Sequence, residues 1–211
     1  NETSSGVSFI DALKSRTLWC LGIGSACLWF SIQGVNSQIT IFFEQEAGYT
    51  AQQAVILFST LFWFSFFGKF AFGALSDKIP KQRVFLITSC ILFIGSLLLF
   101  EINNGQLSFT QNRAQLTIFT ILFGLGFGGS FSMIQLVALE IFGKAYLGRI
   151  LGLITLVDGM GAALGTKLLS ELKISTGSYF VPFALVSLVT FFAIINVFLI
   201  KPIQTKSQTP S

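Results

Sequence analysis

Lys69 stands in an otherwise apolar stretch, eight residues before Asp77. On a helix that spacing lifts the ammonium about 12 Å above the carboxylate. In a bilayer whose hydrocarbon core is about 30 Å thick, this is close to the midplane. A lysine there costs roughly 2.5–3.5 kcal/mol on insertion scales, so it needs a partner or a wet cavity. Two further polar residues reach the same level. Asp158 lies nine residues beyond Arg149 and Gln135 eight before Gly143, so on helices anchored at one face both stand about 12–13 Å in. A base, an acid and an amide at one depth can bind a small anion and pass a proton, or they can form a permanent ion pair that only fixes helix packing. Trp29, Gln33, Asn36 and Thr40 recur at helical spacing. They read either as an outward vestibule or as a set of interhelical hydrogen bonds.

Such residues need a frame that crosses the membrane. The chain has 211 residues, 53% hydrophobic and 10% charged, with 25 Phe and no His. A soluble domain carries about 25% charge, so the composition is that of a membrane protein with the lipid bilayer as its solvent. The net charge is +4, but the placement of Lys and Arg says more than their sum, and a nucleic-acid partner is not expected. Cys20, Cys27 and Cys90 all lie in apolar runs and read as small buried residues. Without histidine, metal-spaced cysteines or paired carboxylates at one depth, the sequence points away from an enzyme, and no metal or cofactor is expected.

Six apolar stretches, at 17–43, 54–75, 84–100, 116–142, 147–169 and 179–200, are each long enough or nearly so to span. The expected fold is an all-α membrane protein of six transmembrane helices, arranged as two inverted three-helix repeats. Residues 1–16 read as a cytoplasmic linker and interfacial lead-in, 17–200 as the bundle and 201–211 as a cytoplasmic tail. With the front end cytoplasmic, that side receives Lys14, Arg16, Lys78, Lys81, Arg83, Lys144, Arg149, Lys201 and Lys206, against Arg113 and Lys173 opposite. This nine-to-two bias places both ends on the cytoplasmic face.

Small residues line three spans: Ser65, Gly73 and Ser76 beside Lys69; Gly124, Gly128 and Ser132 before Gln135; and Gly148, Gly152, Thr155, Gly159, Ala162 and Thr166 beside Asp158. Packing is the favoured reading of these stripes. The third and sixth spans hold no charge and read as lipid-facing supports. Glu140 and Lys144 read as a surface helix pair, and Lys167 as a residue snorkelling at the outer interface.

The turn after the second span carries Gly73, Asp77, Lys78, Lys81 and Arg83. Asp77 is expected to meet Arg149, or the N-terminal end of a neighbouring helix, as a cytoplasmic latch. Here the chain resembles the major facilitator superfamily. GALSDKIPKQR is similar to that family's loop signature at Gly73, Asp77, Lys78 and Lys81, with Pro80 in place of a second glycine and Gln82 in place of a base. DALKSRTLW, EIFGKAYLGRILG and STGSY resemble the second half of the oxalate/formate and monocarboxylate branch. The resemblance implies one half of a twelve-helix transporter, with these as spans seven to twelve, Asn1 in the central linker and an N-terminal six-helix half missing. It also implies that Lys69, four residues before Gly73, contacts a substrate carboxylate. Asp158 takes the place of that branch's second base, which favours a monoanion or a proton-coupled substrate over a dianion. The expected function is therefore secondary active transport of a small organic anion by alternating access, by symport or antiport, in a bacterial inner membrane. The other open reading is a six-span scaffold or assembly subunit without transport of its own.

Overall fold

The computed structural model describes residues 6–103, 106–110 and 112–201. The first five linker residues and the tail from 202 onward, Lys206 included, lie outside the described residues. The chain forms α1 (Phe9–Lys14), α2 (Arg16–Gln45), α3 (Ala51–Leu75), α4 (Lys81–Leu97), β1 (Phe100–Asn103), β2 (Gln106–Phe109), α5 (Arg113–Phe142), α6 (Leu147–Thr176) and α7 (Phe180–Phe198). Helices α2, α3, α5, α6 and α7 are long and apolar enough to cross a membrane. With 17 residues, α4 rises about 26 Å, just short of the hydrocarbon core. The six expected spans are thus α2 to α7.

Local chemistry sets their ends. Ser15 caps α2 by accepting from the Leu18 amide, and Thr50 and Gln53 form a reciprocal capping box at α3. Pro80 precedes the first turn of α4, where its missing N–H costs nothing. Gly143 (φ 73°) stops α5 and Gly177 (φ 69°) stops α6, both in the positive-φ region that favours glycine. The lead-in is docked, because the Val7 amide donates to the Phe142 carbonyl at 2.9 Å and Ala12 of α1 is fully buried.

The third span ends earlier than its apolar run suggests. The chain leaves the helix at Leu97 and enters an antiparallel hairpin that pairs Phe100 with Phe109 and Asn103 with Gln106. Gln115 donates to the carbonyls of Leu98 and Phe100. Phe109 stacks on Phe100 and meets Phe42 of α2 at 5.1 Å between ring centroids, so the hairpin packs against the C-terminal part of α2.

Helix α2 packs on α6 and α7, α5 packs on α3 and α4, and α4 meets α7. Exchanging the first three spans with the last three maps this pattern onto itself, as an inverted repeat requires. The third and sixth spans are more than lipid-facing supports, because α4 and α7 each divide into two faces. Ile87 and Ile94 of α4, and Leu188 and Phe191 of α7, are exposed, while Phe85, Thr88, Phe183 and Thr190 are buried. Uncharged hydroxyls join these helices to the core. Ser96 and Ser187 lie 3.0 Å apart, and Thr190 donates to Ser31 of α2 at 2.8 Å.

Candidate functional site

A cavity of about 490 Å³ opens among α2, α5 and α6. Trp29 and Gln33 line it from α2, Phe131, Ile134 and Gln135 from α5, and Leu151, Ile154, Thr155, Asp158, Gly159 and Ala162 from α6. Four of the six expected binding residues therefore meet at one site. The wall is mainly apolar and aromatic, with two amides, one hydroxyl and one carboxylate, the usual make-up of a small-molecule pocket.

The remaining two stand just behind the wall. Asn36 donates to the Gln33 Oε1 at 3.2 Å, which engages the carbonyl end of Gln33, and its own Oδ1 is buried without a hydrogen-bond partner. Lys69 is absent from the lining. Its Nζ sits over the Phe131 ring, 4.6 Å from the centroid, as a cation–π contact.

The expected pairing of Lys69 with Asp158 is not formed. Asp158 is 7% exposed and accepts the Ser25 hydroxyl at 2.5 Å. The described residues contain three ion pairs, Lys81–Glu140, Lys167–Glu171 and Lys173–Glu46, and Lys69 belongs to none. The physical reason is the pairing of the helices: α3 lies on α5 and α6 on α2, so base and acid hang from different pairs. Sequence reasoning missed Ser25 and Phe131. Ser25 precedes Trp29 by one helical turn and Phe131 precedes Gln135 by one, so each continued a face already singled out.

Glycine geometry separates packing from pathway. A Cβ on Gly128 would overlap the Ser65 carbonyl, one on Gly124 the Leu61 carbonyl, and ones on Gly161 and Gly165 the carbonyls of Ala26 and Phe30. These are the helix contacts. By contrast, nothing lies within 4 Å of a Cβ added to Gly148, Gly152 or Gly159. The α6 stripe next to Asp158 thus borders open space and the cavity, and the packing glycines lie elsewhere on that helix.

The cytoplasmic latch between Asp77 and Arg149 is also not formed. Both side chains are exposed, as are Lys78 and Arg83, and a Cβ on Gly73 would meet nothing within 4 Å. The ion pair at this end is Lys81–Glu140 at 3.7 Å, joining the turn to α5. It replaces the expected Glu140–Lys144 pair, because α5 stops at Gly143 and Lys144 is off the helix. Gln82, which stands where the loop signature has a base, donates to the carbonyls of Val197 and of Ile200 (3.3 and 2.5 Å), and the Thr17 hydroxyl bonds the Lys201 carbonyl at 2.9 Å. Those bonds satisfy the C-terminal end of α7. At the other end, Lys173 of α6 bonds Glu46 at 3.3 Å and lies 4.0 Å from the centroid of the Tyr179 ring.

The sequence model of the Major Facilitator Superfamily matches residues 13–211. Among curated proteins, an uncharacterised MFS-type transporter of Bacillus subtilis is 33% identical over 107 residues, which are 51% of this chain and 19% of that protein. A Bacillus subtilis protein named as a candidate niacin/nicotinamide transporter is 28% identical over 127 residues, 60% of this chain and 30% of its own length. The chain therefore spans less than a third of the length of these relatives. Among solved structures, a peptide transporter of the POT family has a TM-score of 0.74 at 15% identity, with 86% of this chain and 37% of that chain covered. A second solved structure, described as bearing on substrate recognition in proton dependent oligopeptide transporters, matches 92% of this chain and 43% of its own at a TM-score of 0.74 and 14% identity.

Proposed function

The chain belongs to the major facilitator superfamily, and on that premise we propose that it supplies the cavity wall of a transporter that moves a small organic anion by alternating access. The observation that carries the reading is Lys69, an ammonium in an apolar span with an aromatic ring against it and, among the described residues, no ion pair to a carboxylate. A cation there is poised for an anion. Trp29 and Phe131, edge-to-face with ring centroids 6.0 Å apart, offer apolar surface to a flat substrate body, and Gln33 and Gln135 offer amide hydrogen bonds. The name of the niacin/nicotinamide relative supports the same class, since niacin is a small aromatic monocarboxylate. That agrees with the oxalate/formate and monocarboxylate resemblance at Lys69.

Asp158 gives the site its second charge. Protonation of this carboxyl, or its ionisation, changes the net charge of the cavity wall and so couples a proton to substrate movement. The partner for the exposed cavity side is a six-helix N-terminal half, because α3 and α6 are the least buried of the long helices. Both ends of the described bundle face the cytoplasm, in a bacterial inner membrane.

Uptake of nicotinate and of pyruvate by the full-length protein in proteoliposomes, across an imposed pH gradient, tests the reading. Wild type is expected to accumulate one of the two acids, and Lys69→Ala to raise its KM at least about tenfold. Equal kinetics for Lys69→Ala and wild type would remove the anion assignment.

A further inference from the structure

We infer that Phe131 is a specificity-determining residue, a shutter that screens Lys69 from the cavity until a carboxylate displaces the ring. The inference rests on the anion reading of the site. Phe131 lines the cavity and Lys69 does not, yet the Lys69 ammonium lies 4.6 Å from the Phe131 ring centroid. The same ring meets the Trp29 edge at a 6.0 Å centroid distance. It therefore has the cavity, the indole and the ammonium as neighbours at once. A carboxylate entering beside Trp29 meets the Phe131 ring at the cavity wall and competes with it for the ammonium.

The ring is a weaker partner than the ligand. A quadrupole attracts a cation without neutralising it, whereas a carboxylate forms a charge-assisted hydrogen bond in a setting of low polarity. An arriving anion thus exchanges with the ring at a net gain. A neutral molecule of the same shape gains nothing from Lys69 and leaves the ring in place. In the empty state the ring covers a charge that would otherwise stand bare among apolar side chains. The discrimination is set by what must be displaced, and the residue that sets it is apolar.

Lys69 can be read directly, without any transport assay. The purified full-length protein is treated with the acetate ester of N-hydroxysulfosuccinimide, and acylation of Lys69 is followed by peptide mass spectrometry. Lys167, whose side chain is 71% exposed, serves as the internal reference. Phe131→Leu keeps an apolar side chain and removes the ring, and Phe131→Tyr keeps the ring. Relative to Lys167, acylation of Lys69 is expected to be roughly three- to thirtyfold faster in Phe131→Leu and unchanged in Phe131→Tyr. Nicotinate is expected to protect Lys69 at a several-fold lower concentration in Phe131→Leu than in wild type, and nicotinamide to protect in neither. Equal Lys69 rates in wild type and Phe131→Leu, with Lys167 unchanged, overturn the shutter; Phe131→Met makes the same comparison if the leucine variant does not fold. Faster acylation in Phe131→Leu without protection by nicotinate or pyruvate keeps the screening role and removes the anion reading.

Discussion

Asp158 and Lys69 are two ionisable groups that the structure provides for separately. The acid has a hydroxyl and the base has a ring. Removing the hydroxyl leaves a buried carboxyl without its hydrogen bond, so Ser25→Ala is expected to cost about 1–3 kcal/mol, read as a lower thermal midpoint of the purified protein. Asp158→Asn keeps the shape and loses the titration. Its expected outcome is uptake whose rate no longer varies with external pH, measured against wild type over pH 5 to 8. The members of this site were readable where they recur on one helical face, as Trp29 and Gln33 do, or where their expected depth follows from the end of their span, Arg149 for Asp158 and Gly143 for Gln135. Which of them touch was not readable. Depth along a helix is a one-dimensional quantity, and the Lys69–Asp158 expectation failed on rotation and helix pairing, which local spacing does not carry. Asn36 and Lys69 stand near the cavity, each in contact with a residue of its lining, Gln33 and Phe131.

For the helices themselves, the legible part was large. Apolar length located all six long helices to within a few residues at most ends, and five of them are long and apolar enough to cross a membrane, because a bilayer fixes the length that a span must have. The third apolar run, which extends to Phe100, hides the hairpin that pairs Phe100 with Phe109, although Asn104–Gly105 between two short runs is, in sequence, the dipeptide of tight hairpins. Glycine stripes were legible only as stripes. Their two uses diverge in the structure, and a matched pair of variants separates them. Gly128→Ala drives a methyl into the Ser65 carbonyl and is expected to destabilise by about 1–3 kcal/mol. Gly159→Ala meets open space and is expected to leave the thermal midpoint within about 1 °C while altering uptake, since Gly159 lines the cavity. Gln82→Ala belongs with the first of these. It removes two hydrogen bonds to the end of α7 and is expected to cost about 1–2 kcal/mol, with freer hydrogen exchange at Val197 to Ile200.

Across the whole molecule, the two helix pairs α2–α6 and α3–α5 are closed by backbone-to-glycine contacts that tolerate almost no sliding. If the proposed transporter rocks, each pair is expected to move as a body, while the cavity and the turn carrying Asp77 change around them. Asp77 and Arg149, both exposed here, are free to meet in another state of the bundle; Asp77→Asn is expected to leave the thermal midpoint of this state unaltered. The contact pattern also fixes an order in time. The main partners of α2 are α6 and α7, which are synthesised after α3, α4 and α5, so α2 waits while those three helices are made before Ser25 and Ser31 can bond to α6 and α7. During that interval its polar face needs a temporary host, an insertase or the translocon wall, and a nascent chain arrested before α6 should be the form most readily cleared by membrane proteases.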